Sequence, residues 1–181
     1  MPILYSFLFI IIIAGALVIL YAYQFNKLQH SKTKINHAEM LIDESLRNRY
    51  DFLTKVDSFV KSELKNDKSF FKGLDKVKEE NISNYDLDRK LTEYIVIFEQ
   101  LKTDYEELGN SKTYKELATE NKQIDEKLEA AKNFYNKYTS ELNDLIRQFP
   151  SNVVAKMHGF EIAPFFDGKN MQDEIVDDFK F

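Results

Sequence analysis

Histidine is the first residue type to test for chemistry, because imidazole can act as base, acid or metal ligand. His30 and His37 share a helical face but stand two turns apart, roughly 10 Å at helical rise. That is too far to share one ion held by ~2 Å bonds. His158 stands alone beside Gly159. Cysteine is absent, which removes a thiol nucleophile, a thiolate zinc site, an iron–sulfur cluster and any disulfide framework. The five glycines are scattered, and no P-loop, dinucleotide fingerprint or nucleophile elbow occurs. A di-metal site in a helical bundle would want Glu-x-x-His on core faces, and the chain has none. Glu126, Glu129 and Asp144 interleave with Lys122, Lys127 and Lys132, the pattern of a solvated, ion-paired face. The expectation is no catalytic residue, no metal, no cofactor and no enzyme.

The remaining polar positions point to architecture or docking. Arg49 falls on the apolar stripe of Ile42 and Val56, and a guanidinium there must find partners or reach water. Asp43, six residues away, is too far along a helix for a simple pair with Arg49 but can meet Arg47 at i+4. Arg49 is expected to anchor a polar layer against a facing helix or carbonyl, fixing register. The alternative is that it contacts a partner's carboxylate or phosphate. Asn136 and Asn143 stand seven apart beside another stripe. They are either exposed or bonded to a backbone segment that lacks its own ladder. Phe160, Phe165 and Phe166 form an aromatic cluster that either closes the core or docks a partner or the bilayer.

Long helices must position these residues. The 181 residues carry 25 Lys plus Arg against 30 Asp plus Glu, a net charge of −5, so bulk charge does not favour nucleic acid. Five Gly and three Pro are too few for a turn-rich β fold. From Met1 to Asn26 no side chain is charged, and Ile3 to Tyr23 is almost wholly apolar. About 20 such residues span the ~30 Å hydrocarbon layer as a helix. A cleaved signal peptide would show a basic start and a shorter apolar core. Here nothing basic precedes Ile3 except the terminal amine, and the one Ala-x-Ala lies deep in the run. An uncleaved anchor is therefore expected. Lys27, Lys32 and Lys34 follow the span and none precedes it, so the positive-inside rule puts the N-terminus outside and the rest in the cytoplasm.

The first helix is expected to continue from the anchor to about Leu64, with Ile35, Ala38, Ile42, Leu46, Leu53, Val56, Val60 and Leu64 on its stripe. At ~1.5 Å per residue, Asn26 to Leu64 could reach on the order of 55–60 Å. Asn66-Asp67 is a stop, with Asp67 capping a short helix to Glu80. Ser83 and Asp86 open a third helix with Leu87, Leu91, Tyr94, Phe98, Leu101, Tyr105 and Leu108 on its stripe, ended by a left-handed Gly109. Thr113 and Glu116 open a fourth, whose stripe runs Leu117, Asn121, Ile124, Leu128, Ala131, Tyr135, Tyr138, Leu142, Leu145 and Phe149. That spacing suggests coiled-coil-like packing, and Pro150 stops it. The fold class is thus all-α: an N-terminal transmembrane helix continuing into an antiparallel bundle of three to four long helices, with an extended C-terminal strap. The domains are 1–25 as anchor, 26–166 as bundle with a strap over Pro150–Phe166, and 167–181 as a flexible acidic tail.

Two ends of the chain carry a family likeness. One comprises Ile42-Asp43, Leu46, Arg49-Tyr50-Asp51 and Leu53, followed by Val56 and Val60. The other comprises Phe134-Tyr135-Asn136, Asn143, Ile146, Phe149-Pro150-Ser151-Asn152-Val153-Val154-Ala155, Gly159-Phe160 and Phe165-Phe166. With the anchor in front, this order resembles the LemA family of bacterial membrane proteins over Ile3 to Phe166. The chain departs from the family pattern at Thr54, where Pro is usual, near Glu39, where an aromatic is usual, and at Tyr105-Glu106 in place of Tyr-Pro. The resemblance implies a single-pass protein of the bacterial cell membrane with an external N-terminus and a helical bundle, and it implies no enzyme activity.

The expected function is a non-enzymatic, membrane-anchored scaffold or adaptor. It would hold the bilayer through residues 3–23 and meet unidentified membrane or envelope proteins, with no nucleic acid. The alternative is a membrane-tethered sensor taking a small apolar ligand or lipid between helices, in a pocket lined by Tyr94, Phe98, Tyr135 and Tyr138. Homo-oligomerisation through the fourth helix or the anchor is left open by the sequence.

Overall fold

A computed structural model describes residues 2–64, 70–77 and 82–166. Every regular element among them is a helix: α1 (Pro2–Leu64), α2 (Leu74–Val77), α3 (Asn84–Asp104), α4 (Glu106–Asn110), α5 (Lys112–Arg147) and α6 (Ser151–Met157). The expected stop at Asn66-Asp67 and the acidic tail over 167–181 lie outside the described residues. α1 runs 63 residues without interruption, as its lack of an internal Pro predicts. Thr54, where a kink-forming Pro was the family's alternative, donates its hydroxyl to the Tyr50 carbonyl at 3.1 Å. The first part of α1 has a mean hydropathy of 3.0 in its most apolar window, and none of that window is buried. It is long and apolar enough to cross a membrane.

The helices fall into two compact units. The first comprises Met1–His37 and Phe134–Phe181. In it α1 begins to bury side chains only at Leu28, followed by Ser31 and Ile35. α5 faces it with Tyr135, Thr139, Leu142, Asn143 and Leu145. The rings of His30 and Tyr138 lie 6.3 Å apart and those of His37 and Phe134 6.4 Å apart, so α1 and α5 run antiparallel here. α6 buries Ser151, Val154 and Ala155. This corrects the expected extended strap over residues 151–157, which are helical, while residues 160–166 lack a regular element. Two β-branched valines favour a strand locally. The i, i+3, i+4 spacing of Ser151, Val154 and Ala155 instead offers one buried helical face, and tertiary burial decides. Gly159 follows with φ +67°, a left-handed turn that suits glycine and leads into the non-helical segment.

The second unit is Ala38–Asn133. Ala38, Ile42, Leu46, Phe52, Leu53, Val56 and Val60 of α1 are buried with Leu91, Ile95, Phe98 and Leu101 of α3 and Leu117, Leu128 and Ala131 of α5. Phe98 packs edge-on to Phe52 at 5.2 Å and stacks on Tyr114 at 5.1 Å. Each side chain of this size contributes about 1.5–3 kcal/mol by leaving water. Ser83 caps α3 by accepting from the Asp86 N–H at 3.1 Å. α5 is opened by Ser111, which accepts from the Tyr114 N–H at 3.1 Å, rather than by Thr113.

Gly109 does not end the third helix. α3 stops at Asp104 and Gly109 lies inside α4. An added Cβ there would come within 2.8 Å of the Lys102 backbone, so glycine serves close approach rather than a left-handed cap. Phe149 also departs from its expected stripe, since α5 ends at Arg147 and Phe149 is 82% exposed.

Candidate functional site

Arg49 is the most deeply set cation on α1, only 3% exposed. The helix stripe that buries Leu46 and Leu53 carries it inward, and two facing helices supply its partners. From α3, Asp88 accepts from its Nη1 at 2.8 Å, and the Thr92 hydroxyl accepts from the same nitrogen at 3.2 Å. From α5, Asp125 accepts from Nη2. The second oxygen of Asp88 meets the Lys132 ammonium at 2.6 Å, and Lys132 also meets Glu129 at 2.8 Å. Two cations and three carboxylates therefore form one network across α1, α3 and α5. A buried guanidinium without such partners would cost several kcal/mol. With them it fixes how the three helices register.

Lys132 therefore does not lie on a solvated face. Desolvation by its surroundings favours the neutral amine, but the hydrogen bonds and charges of Asp88 and Glu129 together outweigh it and raise the ammonium above its ordinary 10.5. Tyr114 is also raised, first by burial and then by Glu99, while its hydroxyl donates to the Phe98 carbonyl at 3.4 Å. Asp43 takes no part in the Arg49 network. It accepts from Arg47 Nε at 3.0 Å on the exposed side of α1.

Asn136 and Asn143 come together in the first unit, on the non-helical C-terminal segment. Asn143, fully buried, donates Nδ2 to the Ala163 carbonyl at 2.8 Å and accepts the Ala163 N–H at 2.9 Å. Asn136 accepts the Phe166 N–H at 2.8 Å. The Tyr135 hydroxyl donates to the Pro164 carbonyl at 3.2 Å. A primary amide can mimic a backbone peptide, donating and accepting side by side. A segment with no ladder of its own is thereby satisfied without charge. Phe160, Phe165 and Phe166 are all half-buried. Lys32 Nζ lies 5.9 Å from the Phe160 ring centre, and Phe166 meets the Tyr135 ring edge-on at 6.2 Å.

The four aromatics proposed above to line one ligand pocket are divided between the units. Tyr94 and Phe98 belong to the second, Tyr135 and Tyr138 to the first. The Tyr94 hydroxyl donates to the Lys72 carbonyl at 3.1 Å, and Phe98 is filled against its neighbours. An open groove in the second unit, about 340 Å³, is lined by mixed polar groups including Ser45, Asn48, Asp51, Lys55 and Glu120. Among the described residues, no three His, Asp or Glu side chains are grouped to hold a metal ion.

Sequence reasoning missed Asp88, Asp125, Lys132 and Asp57. Asp88 was legible in principle, since it stands three and seven residues before Leu91 and Ile95 on the buried stripe, whereas Leu87 is only half-buried. Asp57 lies one residue beyond buried Val56 and accepts the Phe70 N–H at 2.6 Å and the Phe71 N–H at 3.3 Å. No local pattern marks that contact, because it forms only when the chain folds back.

No curated protein and no solved structure matches the chain. The two ends that carry the likeness described above are the ends that hold Arg49 and the paired asparagines. The model of the LemA family matches residues 38–181, most of the chain, and the chain belongs to the LemA family.

Proposed function

We propose that this LemA-family chain is a non-enzymatic, single-pass membrane scaffold or adaptor of a bacterial cell membrane. Residues 3–23 of α1 cross the bilayer with a short N-terminus outside. The helices that follow form an antiparallel bundle in the cytoplasm, with residues 160–166 laid over it as a strap. One observation carries this reading: α1 passes from a bare apolar stretch into packed helix with no break at the junction. A helix continuous through that point gives the packed helices no slack from the anchor. The Arg49 network then supports rigidity rather than turnover, since its charged groups are engaged with one another. Three lysines after the span and none before it support the orientation.

The partners on this reading are membrane or envelope proteins. A photo-reactive residue at exposed Glu126 or Lys122, activated in cells, should give one discrete heavier adduct containing such a protein. Adducts to many proteins in proportion to abundance, or no adduct beyond the chain itself, would contradict an adaptor role.

A further inference from the structure

The outer face of α6 is apolar and uncovered. Phe149 is 82% exposed, Val153 50% and Met157 68%. Val153 and Met157 stand one turn apart on one side of a short helix whose other side buries Ser151, Val154 and Ala155, and Phe149 lies in the turn just before it. Lys156 is exposed between them, and with Asn152, Val153 and Met157 it lines a shallow open depression. Three large apolar groups exposed within nine residues are unusual on a surface bathed only by water.

Their position within the first unit says what covers them. α5 runs antiparallel to α1 and so returns toward the apolar end of α1 as it approaches Arg147. α6 then brings His158 against that end: its Nε2 meets the Tyr21 hydroxyl, and its ring lies 4.6 Å from Phe25. Tyr21 and Phe25 lie in the last two turns before the uncharged run gives way to Lys27. The C-terminal end of α6 is thus held beside the last turns of the apolar stretch. Lys156 and Lys27 are both exposed and cationic at this level.

We propose that α6 is an interfacial helix, resting on the same bilayer that α1 crosses. Phe149, Val153 and Met157 dip into the boundary between headgroups and acyl chains, and Lys156 extends its ammonium along its apolar stem to anionic headgroups. This rests on the membrane reading of α1. It makes the first unit a two-point mount, one helix through the bilayer and one lying on it.

The absence of Trp from the chain makes the test direct. Met157→Trp, Val153→Trp, Ile11→Trp and Glu126→Trp would each give the full chain a single indole. Each variant is reconstituted into phosphatidylcholine–phosphatidylglycerol vesicles whose acyl chains carry bromine at shallow or deep positions. Ile11→Trp should be quenched most by deep bromine. Met157→Trp and Val153→Trp should emit to the blue and be quenched most by shallow bromine, and Glu126→Trp should be unaffected. Quenching of Ile11→Trp with water-like, unquenched emission at 153 and 157 would overturn the α6 proposal and leave the anchor intact. Absence of quenching at Ile11→Trp would overturn the anchor and α6 together. Blue emission at 153 and 157 without quenching by either lipid would mean a second copy of the chain covers the face, which also overturns the proposal. If a Trp variant loses its helical circular dichroism, a nitroxide on Lys156→Cys reads the same depth by its collision rate with oxygen relative to a water-soluble relaxer. Oxygen excess supports the proposal and its absence overturns it.

Discussion

The two units hold their helices with different chemistry. In the second, α1, α3 and α5 are pinned by charge: Arg49 and Lys132 share Asp88, flanked by Asp125 and Glu129. In the first, α5 holds a segment without secondary structure by neutral amides, with Asn143 and Asn136 bonded to the backbone of Ala163 and Phe166. The difference follows from what each must satisfy. Helices have spent their backbone groups internally, so only side chains are left to set register, and a buried charge is strongly selective for its partner. The C-terminal segment arrives with unspent N–H and C=O groups, and an amide meets both without adding a charge to be desolvated. A charged network should respond to pH and to removal of one partner. An amide clasp should respond to neither pH nor salt.

That contrast can be broken most severely at Arg49. Arg49→Leu leaves the buried Asp88 carboxylate with Lys132 alone and returns the half-exposed Asp125 to solvent, and should cost about 3 kcal/mol in urea unfolding of the full chain. Adding Asp88→Leu should recover part of the loss, because the buried carboxylate goes with its partner. If the double variant falls below wild type by the sum of the two single effects, the pair is not coupled.

Asn143→Ala leaves both the N–H and the C=O of Ala163 unpaired and should cost about 1–2 kcal/mol. Its signature is local: hydrogen exchange should quicken at Ala163 and Phe166 while amides of α3 keep their protection. Uniform acceleration through α3 would make the clasp a general structural element instead.

Lys132→Met should cost about 1 kcal/mol at neutral pH, since Asp88 keeps Arg49. The sharper readout is the alkaline limb. The Lys132 ammonium is held above its ordinary value in the folded chain. Its contribution is therefore present below 10.5 and is lost as pH rises through the raised folded value. Tyr114, also raised, acts in the same direction, because ionising the buried phenol favours unfolding. Wild type should lose stability steeply above the ordinary lysine range. Lys132→Met should lose less and keep the Tyr114 part, and an Asn143→Ala variant should follow the wild-type slope. The smallest effect belongs to the exposed Asp43–Arg47 pair, where Arg47→Ala should change stability by about 0.3 kcal/mol and lose even that in high salt.

Periodicity made α1, α3 and α5 legible, because three-four spacing of large apolar residues survives any tertiary detail. Arg49 stood out because a cation on such a stripe is anomalous, and the two asparagines because they stack beside one. The acidic partners of Arg49 did not stand out: a surface-like composition of Glu, Asp and Lys on α5 hides which carboxylate turns inward, and only the packing angle decides it. Ser151–Met157 misled for a related reason. Its Val-Val-Ala reads as extended, and helix wins there only because one face finds a core. Gly109 shows a third limit, since a glycine needed for close approach to Lys102 looks in sequence like a glycine needed for positive φ.

An anchored scaffold requires the packed helices to lie on the cytoplasmic side of the bilayer. Because the chain has no cysteine, Glu126→Cys creates a single thiol at an exposed site on α5. A membrane-impermeant maleimide applied to intact cells and to lysed cells then reads its side of the membrane, with the protein located in the membrane fraction. The prediction is labelling only after lysis. Labelling of intact cells, or recovery of the protein in the soluble fraction, would contradict an anchored cytoplasmic scaffold.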